Sequence, residues 1–292
     1  MKAPKTFAIW ANLDKKESSL LLVSILDWAK QNNLEVFLPS SLEKISEITK
    51  NFNFSYFKED ESVPSVDFFL SLGGDGTLLS AVRNAREKSI PVLGVHLGEL
   101  GFLSITTPDN IISKLNAILK GNYSIEERIV LNAKISNSEK IYFATNDLVI
   151  QNQNSYRITS LSFSVNDQEV GQYKSDGIIV STPTGSTAYS LSAGGPIVQP
   201  DVFSILVTPI APHSLTSRPL VLPSNVKITF DFQGSSETSL NLICDGQQII
   251  HFSKNETITI VKSSNNLKFI TFDDYDYYEI LRKKMGWGKR GV

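Results

Sequence analysis

The stretch Val66-Asp67-Phe68-Phe69-Leu70-Ser71-Leu72-Gly73-Gly74-Asp75-Gly76-Thr77 runs from an apolar segment into glycines grouped around a single carboxylate, and then into Leu78-Leu79-Ser80-Ala81-Val82. This pattern predicts a buried strand, a glycine turn and the start of a helix. Glycines at such a junction let a ligand approach the main chain, and the unpaired N–H groups of a first helical turn favour anions. Gly73, Gly74, Gly76 and Thr77 are therefore candidate phosphate-loop residues. The loop differs from G-x-x-x-x-G-K-[ST] in having no lysine and in placing Asp75 at its centre, where a bare phosphate would be repelled. Asp75 needs other work: polarising a hydroxyl that attacks a phosphate, or contacting Mg²⁺.

Outward from this loop, strand-like and helix-like segments alternate from residue 6 to about 120. Phe7-Ala8-Ile9-Trp10, Leu34-Glu35-Val36-Phe37-Leu38 and Ile90-Pro91-Val92-Leu93-Gly94-Val95 read as strands, and helices are expected near residues 17–31 and 40–49. Thr107-Pro108 supplies an N-cap and a first-turn proline to a helix carrying Ile111, Ile112, Leu115, Ile118 and Leu119, closed by Gly121. The rhythm predicts an α/β domain with a mostly parallel sheet, in which ligands bind beyond the carboxyl ends of the strands, where Asp75 falls. From about residue 122 the apolar period becomes two, as in Leu161-Ser162-Phe163-Ser164-Val165 and Val226-Lys227-Ile228-Thr229-Phe230-Asp231-Phe232. The expected division is an α/β domain over 1–121 and an all-β, sandwich-like domain over 122–272. A tail, 273–292, has helical character at Tyr278–Met285 and is expected to pack back on the first domain.

A chain of 292 residues with 41% hydrophobic content and net charge −2 suits a globular protein of two domains. No Lys/Arg block marks a nucleic-acid face, and the basic end Arg282-Lys283-Lys284 with Lys289 and Arg290 is short enough to be simply solvated. No apolar run is long enough to span a bilayer, and the start Met1-Lys2-Ala3-Pro4-Lys5 leads into a strand-like segment, so a cytoplasmic location without membrane or nucleic-acid partners is expected. Cys244 is the single cysteine, which excludes an internal disulfide and a cysteine metal cluster, and it reads as a small buried side chain.

A second dense segment runs from Asp176-Gly177-Ile178-Ile179-Val180 through Ser181-Thr182-Pro183-Thr184-Gly185-Ser186-Thr187-Ala188-Tyr189-Ser190-Leu191-Ser192 to Gly194-Gly195-Pro196. Its hydroxyls and glycines suit either hydrogen bonds to a nucleotide, with Tyr189 against a base or ribose, or an ordinary Ser/Thr-rich turn. Thr145-Asn146-Asp147 precedes the strand-like Leu148-Val149-Ile150 and, taken alone, reads as turn chemistry ahead of ligand contact. His96, His213 and His251 read as structural, with His213 the strongest exception.

Taken together these motifs resemble the NAD kinase family, over nearly the whole chain. The family marker is a GGDGT loop, here Gly73 to Thr77, followed by the longer motif from Asp176 to Pro196. GGDGT alone also occurs in lipid kinases and phosphofructokinases; the longer motif is the more specific. Leu100-Gly101-Phe102-Leu103, Pro212-His213-Ser214-Leu215-Thr216-Ser217-Arg218-Pro219 and the ending Leu281-Arg282-Lys283-Lys284-Met285-Gly286-Trp287-Gly288 agree with it. The resemblance implies phosphorylation of the 2′-hydroxyl of the adenosine ribose of NAD, with ATP as donor and Mg²⁺ or another divalent cation assisting. It makes Asp75 the catalytic proton acceptor and puts Gly76 beside the dinucleotide. Asn146 and Asp147 fall on an Asn-Glu pair that binds the adenosine ribose, Asp176 on an aspartate near the nicotinamide, and Thr187, Ala188, Tyr189, Ser190, Leu191 and Ser192 on the adenine side. Arg157 and Lys174 fall on basic ligand positions and Gln247 on another ligand position, while no dedicated protein metal site is implied. A homotetramer or homodimer is also implied. Two residues depart from the family pattern: Asp147 stands where glutamate is common, and His96 where asparagine is usual.

Two rivals share part of this pattern: a lipid kinase, which would share GGDGT and a β-rich second domain, and a non-catalytic NADP sensor, against which the intact Asp75 argues. A plain dehydrogenase is disfavoured because Ala11-Asn12-Leu13-Asp14, and no G-x-G-x-x-G, follows the first strand.

Overall fold

The computed structural model describes residues 3–11, 16–45, 52–58, 63–98, 101–153, 158–232, 239–253 and 255–287. The chain divides into two compact units, Met1–Glu127 with Leu267–Val292, and Arg128–Asn266. The first holds a seven-stranded sheet built on β1 (Thr6–Ala11), β2 (Glu35–Pro39), β3 (Ser55–Phe57), β4 (Phe68–Gly73), β5 (Val92–His96) and β6 (Ser124–Arg128). Its order is β3-β2-β1-β4-β5, then the late strand Leu267–Thr271, then β6. β1 to β5 pair in parallel, as does the late strand with β5. The boundary expected at 121/122 and 272/273 is thus displaced, because β6 and Leu267–Thr271 hydrogen-bond into the first sheet.

β4 reads as an unbroken apolar run because both of its faces are covered, as parallel strands require. On one face α1 (Lys16–Gln31) and α3 (Ile111–Leu119) bring Leu22, Ile25, Leu26, Ile111, Leu115 and Ile118 against Phe7, Ile9, Leu70, Leu72, Leu93 and Val95. Trp28 Nε1 donates to Asn116 Oδ1 at 2.8 Å, tying the two helices together. On the other face lies α2 (Asp75–Ala85), whose Leu78 fits beside Gly94, where a Cβ would stand 3.1 Å from the leucine. α3 begins at Ile111, not at Thr107. The side chain of Asn110 accepts from Thr107 N–H at 2.9 Å, so Thr107 to Asn110 form a turn that precedes the helix. Gly121, at φ 75°, closes it as expected. Residues 40–45 wind as a 3₁₀ turn and not an α-helix, and the remainder of that expected helix lies outside the described residues.

The second unit has two six-stranded antiparallel sheets. One, ordered β11-β10-β15-β18-β7-β8, comprises β7 (Leu131–Ile135), β8 (Ile141–Ala144), β10 (Thr159–Val165), β11 (Gln168–Ser175), β15 (Ile228–Phe232) and β18 (Ile258–Lys262). The other, ordered β14-β13-β12-β9-β16-β17, comprises β9 (Asp147–Asn152), β12 (Gly177–Ser181), β13 (Ser204–Ile210), β14 (Leu220–Pro223), β16 (Ser239–Cys244) and β17 (Gln248–Ser253). Alternate residues of both sheets, among them Leu161, Phe163 and Phe230 from the first and Leu148, Ile150, Val180 and Cys244 from the second, form one core. Period-2 alternation marks the strands of the first of these sheets, as in β10 and β15, whereas β9, β12 and β13 of the second are buried along nearly their whole length. Among the described residues no helix is long and apolar enough to cross a membrane.

Candidate active site

In the first unit the sheet order places the glycine loop at the carboxyl end of β4, where strands on the β1 side and on the β5 side part company. That is the ligand-binding position of open α/β sheets. Gly74 is the N-cap of α2 and Asp75 its first residue. A Cβ on Gly74 or Gly76 would meet no atom within 4 Å, so the main chain lies open there, whereas a Cβ on Gly73 would collide with the Thr77 side chain. The Asp75 carboxylate is gripped by the segment that follows Gly101. Phe102 N–H donates to Oδ2 at 2.9 Å, and Leu103 and Ser104 N–H donate to Oδ1 at 3.3 and 3.2 Å. Oδ1 thereby has both lone pairs occupied, while one of these three bonds falls on Oδ2. His96, paired with Gly73 across the β4–β5 ladder, is 7% exposed. Its Nδ1 faces the Gly98 carbonyl at 3.0 Å, so a neutral ring carries its proton there.

In the second unit the register sets Ser181 opposite Asp147 and Leu148 opposite Cys244. Asn146, the segment after β12 and the β16–β17 turn therefore meet at one end of the sheet. Thr182 ties two of them: its N–H donates to the Asn146 carbonyl at 2.9 Å and its hydroxyl to the Thr145 carbonyl at 2.6 Å. Gly185 has to be glycine, since a Cβ would stand 2.7 Å from Asn146 Cα and nearer still its carbonyl. Asn146 Oδ1 is buried and accepts no hydrogen bond among the described residues. It awaits a donor. Tyr189 and Gln247 are exposed at the same end, Tyr189 to 44%. Ser190 turns inward, its hydroxyl 3.0 Å from that of Thr208.

Asp147 is 5% exposed, and burial pushes its carboxyl up to about 7, with the neighbouring Asp245 adding to the rise and the Tyr189 N–H opposing it. The folded state therefore binds this proton more tightly than the unfolded chain. The contribution of Asp147 to stability is fully present below the ordinary carboxyl range and is lost as pH rises through about 4 to 7, on the order of 2–4 kcal/mol in the ligand-free protein. Urea denaturation at the two ends of that window checks this: Asp147→Asn should lose the slope and be the more stable protein on the alkaline side.

Asp176 is exposed at the opposite end of β12, five residues and so roughly 16 Å from the Asn146–Asp147 end, and Lys174 is exposed on β11 of the other sheet. One copy of the unit does not bring Asp176 together with Asn146 and Asp147. Arg157 lies outside the described residues. Sequence reasoning assigned nothing to Asp245 or to the N–H groups of Phe102, Leu103 and Ser104. Only the Asp-Gly of a tight turn, and the Gly101 that precedes the second group, hinted at them.

Comparison with known proteins finds relatives for both halves of the chain. Residues 7–123 match the model of the ATP-NAD kinase N-terminal domain and residues 145–272 that of the ATP-NAD kinase C-terminal domain. The NAD kinase of Caldicellulosiruptor bescii is 40% identical over 277 residues, 95% of this chain and 98% of that one. The NAD kinase of Legionella pneumophila is 37% identical over 280 residues, 95% and 92% of the two chains. Among solved structures, yeast NADH kinase complexed with NADH superposes with a TM-score of 0.89 at 27% identity, covering 100% of this chain and 90% of the other. An Archaeoglobus fulgidus NAD kinase in complex with ATP shares the fold, at a TM-score of 0.70 and 23% identity over 96% and 98% of the two chains. With two matched domain models spanning most of its length, the chain belongs to the NAD kinase family, enzymes that phosphorylate NAD with ATP.

Proposed function

We propose that the enzyme transfers the γ-phosphoryl group of ATP to the 2′-hydroxyl of the adenosine ribose of NAD, giving NADP, with Asp75 accepting the hydroxyl proton. The carrying observation is the Asp75 carboxylate itself, held by three N–H donors at the start of α2 beside an open glycine main chain. A ribose hydroxyl is a poor nucleophile at neutral pH, and a positioned carboxylate that takes its proton adds about 10²–10⁴-fold. Of the two oxygens, Oδ2 is the one assigned to the hydroxyl, since Oδ1 already accepts two N–H groups. Gly73, Gly74, Gly76 and Thr77, with the first-turn N–H groups of α2, favour the phosphates.

Asn146 Oδ1 and the Asp147 carboxyl hold the adenosine ribose, the exposed Tyr189 ring and the backbone from Thr187 to Ser192 face the adenine, and Gln247 adds an amide. Ser190 contributes only main chain, because its hydroxyl is engaged with Thr208. Asp176, at the far end of β12 from Asn146 and Asp147, takes the nicotinamide end of the extended dinucleotide, and Lys174 and Arg157 add basic ligand contacts. Among the described residues no three His, Cys, Asp or Glu side chains form a metal centre. Mg²⁺ fits this chain as a cation carried in on the ATP phosphates, where it offsets charge on the transferring group. The family resemblance supports a cytoplasmic homotetramer or homodimer.

The test is NADP formation by the purified chain from NAD, ATP and Mg²⁺, read through an NADP-specific dehydrogenase. NADP should accumulate and EDTA should stop it. No NADP with either ATP or polyphosphate, despite tight dinucleotide binding, would turn the reading to a sensor.

A further inference from the structure

The turn between β16 and β17 holds a charged group for which the reaction has no use so far. Asp245 opens that turn at φ 50°, a conformation that aspartate and asparagine tolerate better than other side chains. Its Oδ2 accepts Thr145 N–H at 2.9 Å, and its Oδ1 accepts Asn146 and Asp147 N–H at 2.7 and 3.2 Å. Its own N–H donates to the Asp147 carbonyl at 2.9 Å. The residues so bound lie about a hundred positions earlier in the chain. Three successive N–H groups can converge on one carboxylate only if the main chain curls into a concave nest around it. That curl sets the directions in which the Asn146 and Asp147 side chains leave the backbone.

We propose that Asp245 is a positioning residue for NAD: its carboxylate fixes the curl of Thr145 to Asp147 and so aims the Asn146 amide and the Asp147 carboxyl at the ribose. This rests on the ribose role given to that pair above. Asp245 also acts on Asp147 through its charge. From the other elements packed against Asp147 come Ser181 of β12, opposite in register, the Leu148–Cys244 pair of β9 and β16, and the Tyr189 N–H, none of them charged. A ribose hydroxyl donates best to an ionised carboxylate, so NAD affinity should rise with pH through the Asp147 titration, and Asp245 helps to set where that rise falls.

The experiment is calorimetric titration of the full chain with NAD on either side of about pH 7, together with steady-state kinetics. Asp245→Asn replaces an all-acceptor group by one that sets an NH₂ against an N–H. It should weaken NAD binding and raise KM by roughly tenfold, leave kcat within about twofold, and move the affinity midpoint to lower pH. Asp245→Glu keeps the charge, and should keep the midpoint while recovering part of the affinity. If Asp147→Asn weakens NAD binding but Asp245→Asn changes neither KM nor midpoint, Asp245 is not a positioning residue and the ribose assignment stands. If Asp147→Asn leaves NAD binding untouched, the ribose assignment fails and takes this proposal with it. Should Asp245→Asn not fold, amide hydrogen exchange of the unmodified protein decides: slow exchange at Thr145, Asn146 and Asp147 supports the nest, and exchange at the rate of an open loop overturns it.

Discussion

Asp75→Asn should turn over NAD about 10²–10⁴-fold more slowly than the unmodified enzyme, with NAD affinity within a few-fold. Two losses combine in this variant. An amide does not accept the hydroxyl proton, so the attack on phosphorus goes unassisted. It also meets the Phe102, Leu103 and Ser104 N–H groups with a single oxygen. If that oxygen serves Leu103 and Ser104, as Oδ1 does now, its NH₂ faces the Phe102 N–H, donor against donor. The segment after Gly101 should therefore loosen as well. Measuring kcat with the coupled dehydrogenase assay and Kd by calorimetry separates chemistry from binding. Unchanged kcat would remove Asp75 as the proton acceptor.

Gly101→Ala should cost about 10²-fold in turnover although residue 101 carries no functional group. An added Cβ would stand 2.5 Å from Asp75 Cγ and 2.6 Å from Oδ2, and closer still to Oδ1. These are side-chain atoms, so the carboxylate can swing aside, but doing so gives up the three N–H bonds that aim it. Overpacking of this kind costs about 1–3 kcal/mol of stability in addition. Gly76→Ala is the informative contrast, because its Cβ enters open space on the first turn of α2. It should gain about 0.5–1 kcal/mol in stability as an alanine in a helix, while raising KM for the phosphate-bearing substrates. Equal turnover in Gly101→Ala and the unmodified enzyme would show that the carboxylate does not need its present aim.

Much of this arrangement is legible in residue order because it is local. The run Val66–Leu72 and the glycines after it announce a strand and a helix start within a dozen residues, and the apolar spacing from Ile111 to Leu119 with Gly121 announces α3. Thr107-Pro108 misled because two signals compete there: a good N-cap pair is present, but the Asn110 side chain bonds back to Thr107 and delays the helix by a turn. The grip on Asp75 spans 27 to 29 residues and the grip of Asp245 spans 98 to 100, distances over which no periodicity carries information. Ser190 sits among residues that face a ligand in the family pattern. Only the close approach of Thr208 reveals that its hydroxyl points inward. Asp176 is near Ser181 in sequence and yet far from Asn146 and Asp147, since a strand of extended chain lies between them.

The late strand Leu267–Thr271, threaded between β5 and β6, has a consequence for how the protein is made. The whole of the second unit, residues 128–266, precedes the last strand of the first sheet in the chain. Until that strand is in place β5 is bonded on this side only through the bridge of Val95 to Thr106, and β6 has no neighbour on its inner side. The order of assembly is thus inverted with respect to chain order: the contiguous sandwich can close by itself, whereas the first sheet waits for a strand that follows it. Truncation before Leu267 should leave β5 and β6 without their shared neighbour and the chain prone to aggregate, which makes this one strand the clasp of the whole sheet.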